Sequence, residues 1–343
     1  MRIALDATYS LGENLSGVGV YSREMIAALS AAHREMEFLL CYRPHRFLRS
    51  FSEHLPRNCR RRLLHEPIGP RSAALFHGLN QRLPNMRLRG TVSTFHDLFV
   101  LTGEYSSPEF RRRFELQARD AAARSDLIIT VSEFTGKQVE HLLGVDPSRI
   151  RVVPHGVRRP STPDTRTPRE NIVLHVGAIQ KRKNISRLVR AFTAMPEDWR
   201  LVLAGSSGYG AAAIMREIEG NPRITVTGYV SGAELERLYT RASIFAFPSL
   251  DEGFGMPVLE AMARGLPVLT SNRSALPEVG GDAALLVDPF NVDAIGAALV
   301  RLAEDQDLRG ELRTKGYART HAHSWEAAAA KTWSVYLELI GRL

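Results

Sequence analysis

Two acids, Glu252 and Glu260, stand eight residues apart in DEGFGMPVLEAMARGLPVLTS, residues 251–271. The first precedes a Gly-Phe-Gly turn and the second lies inside an apolar helical stretch. An acid among Val258, Leu259, Ala261 and Met262 costs free energy unless it has a partner. A vicinal diol suits it, because one carboxylate accepts from two hydroxyls, as acids do for ribose in dinucleotide sites. Gly253 and Gly255 let the backbone turn tightly and approach a ligand. The helix N-terminus after them, at Met256, offers free N–H groups and a positive dipole end to phosphate. The spacing puts one acid beside the ribose and the other beside whatever hangs on the far phosphate, which describes a nucleotide conjugate. The plainer alternative is that Glu260 reaches solvent and Glu252 caps the helix.

A second cluster points the same way. HVGAIQKRKN, residues 175–184, delivers Lys181, Arg182 and Lys183 at a strand's carboxyl edge, just before a helix. Such cations suit a diphosphate, with Arg binding two oxygens and Lys acting as a point charge. An exposed basic turn is the other reading. Nearer the N-terminus, Gly17 and Gly19 in LGENLSGVGVY follow the first strand and open a helix. They resemble the dinucleotide fingerprint without its third glycine. STFHDL places His96 and Asp97 at another strand end, where they suit a sugar or a leaving group; a satisfied structural histidine is equally compatible. The remaining histidines, His321 and His323 among them, lack metal-ligand spacing and are expected on the surface.

The elements that must position these residues alternate strand and helix. Strands are expected at 2–8, 37–42, 91–95, 126–131 and 150–153. A second set is expected at 172–177, 199–204, 224–228, 243–248, 266–271 and 284–287. Many are continuously apolar, which marks strands buried on both faces of a parallel sheet. Ser107-Pro108 and the capping box Ser231–Glu234 mark helix starts, and Pro257 and Gly265 bracket the helix that carries Glu260. Between the two sets of strands RRPSTPDTRTPRE, residues 158–170, reads as a linker. The expectation is an α/β protein with two Rossmann-like domains, each with a sheet of about six strands, facing each other across a cleft. The domains are placed at 1–160 and 170–323.

With 343 residues, two domains are also what size suggests, since single cores stop growing near ~250–300 residues. No apolar run approaches the ~18–20 residues of a membrane span. The start, MRIALDATYS, lacks the layout of a signal peptide. Cys41 and Cys59 form neither a CxxC pair nor a metal set, which fits a reducing, cytoplasmic setting. The net charge of +8 comes wholly from residues 1–159, with 24 Lys and Arg against 16 Asp and Glu; the rest balances 21 against 21. Clusters at Arg57/Arg60/Arg61/Arg62, Arg82/Arg87/Arg89 and Arg111/Arg112/Arg113 admit an anionic membrane, an acidic acceptor or a solvated face. They lack the interleaved stacking aromatics of a single-strand binder, so no nucleic-acid partner is expected.

EGFGMPVLEAMARGLPVLTS, KRKN, VSEFT (131–135), VVPHGV (152–157) and SALPEVGGDAALLVDP (274–289) together resemble the retaining family 4 glycosyltransferases of the GT-B fold. The resemblance runs from the Gly17/Gly19 loop to Trp325. It implies a C-terminal domain that binds a nucleoside-diphosphate sugar. Arg182 and Lys183 would hold the diphosphate, Glu260 the ribose, and Glu252 with the backbone at Phe254 and Gly255, beside Met256, the donor sugar. His96, with Asp97, would approach that sugar, and the Gly17/Gly19 loop would close over the phosphates. A last helix, about 324–343, would pack back on the first domain. Many members carry an Arg directly after the glycine of the cation turn; here Ala178 stands there, so the diphosphate must rest on Arg182 and Lys183, aided by Lys181. That pattern, with HGLNQRLP (77–84), resembles a branch of bacterial O-antigen and exopolysaccharide mannosyltransferases and favours GDP-mannose.

Cations and a helix dipole at the leaving diphosphate supply electrostatic stabilisation of the kind that dominates catalysis. No DxD-like pair stands where a metal would sit on the donor, so no metal or other cofactor is expected. No nucleophile is evident either, and retention by front-face attack is what the resemblance implies. The expected partners are the nucleotide sugar, a glycan or lipid-linked acceptor, and, through the basic clusters, peripheral contact with an anionic inner membrane. A nucleotide-sugar epimerase or phosphorylase, or a non-catalytic nucleotide-sugar or glycan binder, would share this fold.

Overall fold

The computed structural model describes residues 1–66, 69–160 and 168–343. The centre of the expected linker, 161–167, lies outside the described residues. The chain forms two compact units. The first comprises Met1–Gly103, Ser107–Gly156 and His323–Leu343; the second comprises Glu104–Ser106 and Val157–Ala322.

The first unit holds a seven-stranded sheet of β1 (Arg2–Asp6), β2 (Glu37–Tyr42), β3 (Cys59–Leu63), β4 (Leu75–Gly78), β5 (Thr91–Phe95), β6 (Leu127–Thr130) and β7 (Ile150–Val152). The order is β3-β2-β1-β4-β5-β6-β7, with every pairing parallel. Two of these strands went unforeseen. CRRRL reads as a basic cluster, yet it pairs with β2 as the sheet's edge. Its alternating exposure is that of an edge strand, and arginines there oppose pairing with another chain. Arg61 is not a loose surface charge: its Nε donates to the Ser50 carbonyl at 3.0 Å and its guanidinium lies 5.1 Å over Phe51. The short β4, LFHG, lacks a β-branched residue, and its last two residues open the HGLNQRLP stretch.

The C-terminal helix Trp325–Arg342, capped by Ser324, belongs to this unit. Trp333 stacks on His33 with ring centroids 3.7 Å apart, Glu338 pairs with Arg151, and Tyr336 Oη lies 2.6 Å from His77 Nδ1.

The second unit holds β8 (Ile172–Val176), β9 (Arg200–Ala204), β10 (Ile224–Gly228), β11 (Ile244–Phe247), β12 (Val268–Ser271) and β13 (Ala284–Val287). These run parallel in the order β10-β9-β8-β11-β12-β13. Most of these strands are apolar and buried, because helices cover both faces. Ile185, Leu188 and Phe192 of one covering helix join Ile295, Leu299 and Leu302 of another in a single core with β8 and β9. The strand order reverses between β8 and β11, and crevices at such switch points, beyond the carboxyl ends of the strands, are where these sheets bind ligands. Among the described residues no helix is long and apolar enough to cross a membrane.

Candidate active site

The loops leaving β8 and β11 meet at the switch point of the second sheet. The β8 loop ends in a short 3-10 turn, Lys181–Lys183, followed by the helix Ile185–Phe192. Asn184 joins them in the left-handed conformation, φ 61°, which its short polar side chain tolerates. Its amide donates to the carbonyls of Pro248 (3.0 Å) and Pro289 (2.7 Å), which ties the cation turn to the β11 loop. Gly205, after β9, lies so close that a Cβ there would stand 2.0 Å from the Gly177 carbonyl oxygen. Only a glycine lets the strand end seat the start of the cation turn.

Within this frame Arg182 and Lys183 converge on Glu252. Arg182 Nη1 lies 2.9 Å from Glu252 Oε2, and Lys183 Nζ lies 2.6 Å from Glu252 Oε1. All three residues are buried, each under one-tenth exposed. Arg182 also donates to the Asp251 carbonyl, and Lys183 Nζ sits 4.6 Å over the Phe247 ring. Burial alone raises the Glu252 pKa, but the adjacent Arg182 and Lys183 cations and the Lys183 hydrogen bond outweigh it and bring it down to about 2. Lys181 is exposed and stands apart from this pair.

A depressed carboxyl pKa stabilises the fold at pH above the unfolded value, and that stability is lost as pH falls through the folded value. Between about pH 4.5 and about pH 2 the protein is therefore expected to lose on the order of 3 kcal/mol through Glu252 alone. Denaturation curves across that range should fall more steeply for the wild type than for Glu252→Gln; equal slopes would refute the assignment.

The helix Met256–Ala263 starts at Gly255, whose φ of 108° suits glycine, and a Cβ there would stand 2.6 Å from Leu276 Cδ2. Phe254 and Gly255 are buried and Met256 is half-buried at the helix N-terminus. Glu260 does not reach the cations. It is half-buried, and its Oε2 accepts from Tyr239 Oη at 2.9 Å. Burial raises its pKa against the opposing Tyr239 hydrogen bond and Arg264 charge. Arg264 lies 5.0 Å over the Tyr239 ring and pairs with Glu236 at 2.7 Å. Tyr239, 21 residues away, is a partner that spacing along the chain did not reveal.

In the first unit, Gly17 and Gly19 open the helix Gly17–Ala32, whose cap Ser16 accepts from the Gly19 amide at 3.3 Å. Gly19 is buried so closely that a Cβ would stand 2.8 Å from the Tyr9 carbonyl oxygen. His96 is buried in an aromatic cluster: it stacks on His155 with centroids 5.3 Å apart and meets Tyr21 edge-on at 4.6 Å. Its Nε2 lies 2.9 Å from the Leu79 carbonyl, so that nitrogen carries the proton. Burial outweighs this bond and lowers the His96 pKa to about 4, which leaves Nδ1 an acceptor at neutral pH. Asp97 beside it is half-buried.

The expectation that the remaining histidines are superficial needs correction. His321 is exposed and His323 half-buried, but His77, His155 and His175 are buried. His77 contacts Thr94 Oγ1 at 2.8 Å besides Tyr336, and Thr94 in turn contacts Tyr21 Oη at 3.1 Å. His175 donates from Nδ1 to the Ala246 carbonyl at 2.9 Å. A lone histidine inside an apolar strand, as in IVLHV, was the signal available. Among the described residues no group of three or more His, Cys, Asp or Glu side chains is placed to hold a metal ion.

Known proteins share this architecture. Residues 161–319 match the family described as Glycosyl transferases group 1, and residues 15–159 match Glycosyltransferase Family 4. O-antigen chain mannosyltransferase B of Escherichia coli is 32% identical, with 96% of this chain and 98% of that protein aligned. Sucrose-phosphate synthase from Thermosynechococcus elongatus shares the fold with a TM-score of 0.79, at 24% identity over 100% of both chains. HepE from Anabaena, solved with UDP and glucose, gives 0.74 at 16% identity over 98% of this chain and 99% of that one. The protein is thus a glycosyltransferase with the GT-B fold. It belongs to the family 4 glycosyltransferases.

Proposed function

We propose that this enzyme moves a hexosyl group, with retention of anomeric configuration, from a nucleoside-diphosphate sugar to a glycan or lipid-linked glycan acceptor in surface polysaccharide synthesis. GDP-mannose is the donor we favour. One observation carries the reading: Arg182, Lys183 and Glu252 converge, buried, at the switch point of the second sheet. The 32% identical relative, named a mannosyltransferase, supports the choice of sugar.

In the transfer, the acceptor hydroxyl oxygen bonds to the anomeric carbon while the bond from that carbon to the diphosphate breaks. The electron pair leaves with the phosphate oxygen, and the acceptor proton passes toward that oxygen. Arg182 and Lys183 stabilise the charge that collects there, in a site too dry for water to do it. Glu252 and the backbone of Phe254, Gly255 and Met256 hold the donor sugar, and Glu260 takes the ribose hydroxyls through Oε1. His96 accepts from a sugar hydroxyl through Nδ1, Asp97 acts beside it, and the Gly17/Gly19 loop serves the phosphates. The two cations do the work a metal does elsewhere, so transfer is metal-independent.

The enzyme works in the cytoplasm at the inner membrane. Leu48 (81% exposed) and Phe51 (62%) flank the exposed Arg49 along the chain, and Arg57, Arg60 and Arg62 are exposed as well, basic and apolar groups suited to anionic lipid. Sedimentation with anionic but not neutral liposomes supports that placement; equal behaviour removes it.

The test of the whole reading is a transfer assay with GDP-mannose, UDP-glucose and UDP-galactose against a panel of glycan acceptors, with and without EDTA. Release of GDP only when acceptor is present, undiminished by EDTA, with an α-configured product by NMR, is expected. Nucleotide release independent of acceptor would favour the epimerase or phosphorylase chemistry instead.

A further inference from the structure

Glu252 already occupies both cations that a diphosphate needs. Each carboxylate oxygen is committed to one of them, Oε2 to Arg182 and Oε1 to Lys183. The main chain that carries the acid is held in place: its own amide donates to Ser274 Oγ at 3.1 Å and the Ala275 amide donates to its carbonyl at 3.2 Å. The cations are equally constrained. The Leu250 amide donates to the Arg182 carbonyl at 2.9 Å, and Lys183 is seated on Phe247. Arg182 and Lys183 thus share one buried carboxylate. Any diphosphate that reaches Arg182 and Lys183 must lie beside a carboxylate that stays ionised.

We propose that Glu252 is an internal counter-anion that competes with the diphosphate for Arg182 and Lys183, and thereby loosens the hold on the free nucleoside diphosphate more than on the nucleotide sugar. This rests on the reading of the cluster as a nucleotide-sugar site. The discrimination follows from charge. The diphosphate of a nucleotide sugar is esterified at both ends and carries about two negative charges. Once the sugar has left and the proton has gone to solvent, the terminal phosphate, with a second pKa near ~6, brings the total to about three. The repulsion from Glu252 rises with that third charge, at a buried position where it is weakly screened. Glu252 therefore favours exchange of spent nucleotide for fresh donor, apart from any contact it makes with the sugar.

The test is calorimetric titration of the wild type and Glu252→Gln with GDP and, without acceptor, with GDP-mannose. Glu252→Gln is expected to bind GDP about tenfold tighter but GDP-mannose only about threefold tighter, while losing transfer activity. Product inhibition by GDP should strengthen in parallel. Because the glutamine leaves two buried cations uncompensated, the comparison is repeated between Lys183→Met and Lys183→Met/Glu252→Gln, where one charge is gone. Removing the acid should again tighten GDP. Unchanged or weaker GDP binding in both backgrounds, with wild-type binding intact, overturns the proposal. Failure of the wild type to bind GDP, UDP, ADP or dTDP overturns the nucleotide site itself.

Discussion

Alanine at Lys183 or Arg182 is expected to cut kcat for sugar transfer by about 10²–10³-fold each, the range seen when one preorganised donor to a developing oxyanion is removed. The double variant is expected to show no measurable nucleotide binding. Lys183 and Arg182 present their charges at the same carboxylate from different directions, and neither substitutes for the other. Arg182 Nη1 reaches both Glu252 and the Asp251 carbonyl; a lysine ammonium stands on a shorter stem and presents a point charge to the diphosphate, so Arg182→Lys should recover little. Steady-state kinetics with saturating donor checks this. A loss confined to KM would mean that the cations bind ground state and transition state equally and give the leaving group no added stabilisation.

The second large effect comes from a residue with no chemistry. Gly205→Ala is expected to destabilise the second unit by about 2–4 kcal/mol, because its Cβ would stand where the Gly177 carbonyl is, and backbone there yields only by shifting the turn. The shift would carry to Lys181–Lys183. Nucleotide affinity is therefore expected to fall in Gly205→Ala even at temperatures where it is fully folded. Melting and titration of the same preparation separate the two effects. A variant that melts lower but binds normally would show that the cation turn is positioned by Asn184 alone.

The sequence was most informative where physics is local. Val-, Ile- and Leu-rich runs such as IVLHV and LIIT became strands because only a sheet covered on both faces buries them continuously. The charges at the ends of β8 and β11 could be placed at one edge of one sheet from strand ends alone. Local reading failed where the decisive neighbour is distant. CRRRL was hidden because its arginines face solvent at a sheet edge and only its pairing with β2 makes it a strand. Arg182 and Lys183 read as phosphate ligands and Glu252 as a sugar ligand, but nothing in the spacing said that the three bond to one another across 69 residues. The Tyr239 partner of Glu260, the His155 ring on His96 and the Gly205 contact with Gly177 were invisible for the same reason.

The most direct test of the central claim is calorimetric titration of the wild-type protein with GDP, UDP, ADP and dTDP. The account predicts that one of them, GDP foremost, binds with a dissociation constant in the micromolar range, about −8 kcal/mol, and that this binding vanishes in Arg182→Ala/Lys183→Ala. If none binds, or if binding survives the loss of both cations, the switch point of the second sheet does not hold the donor.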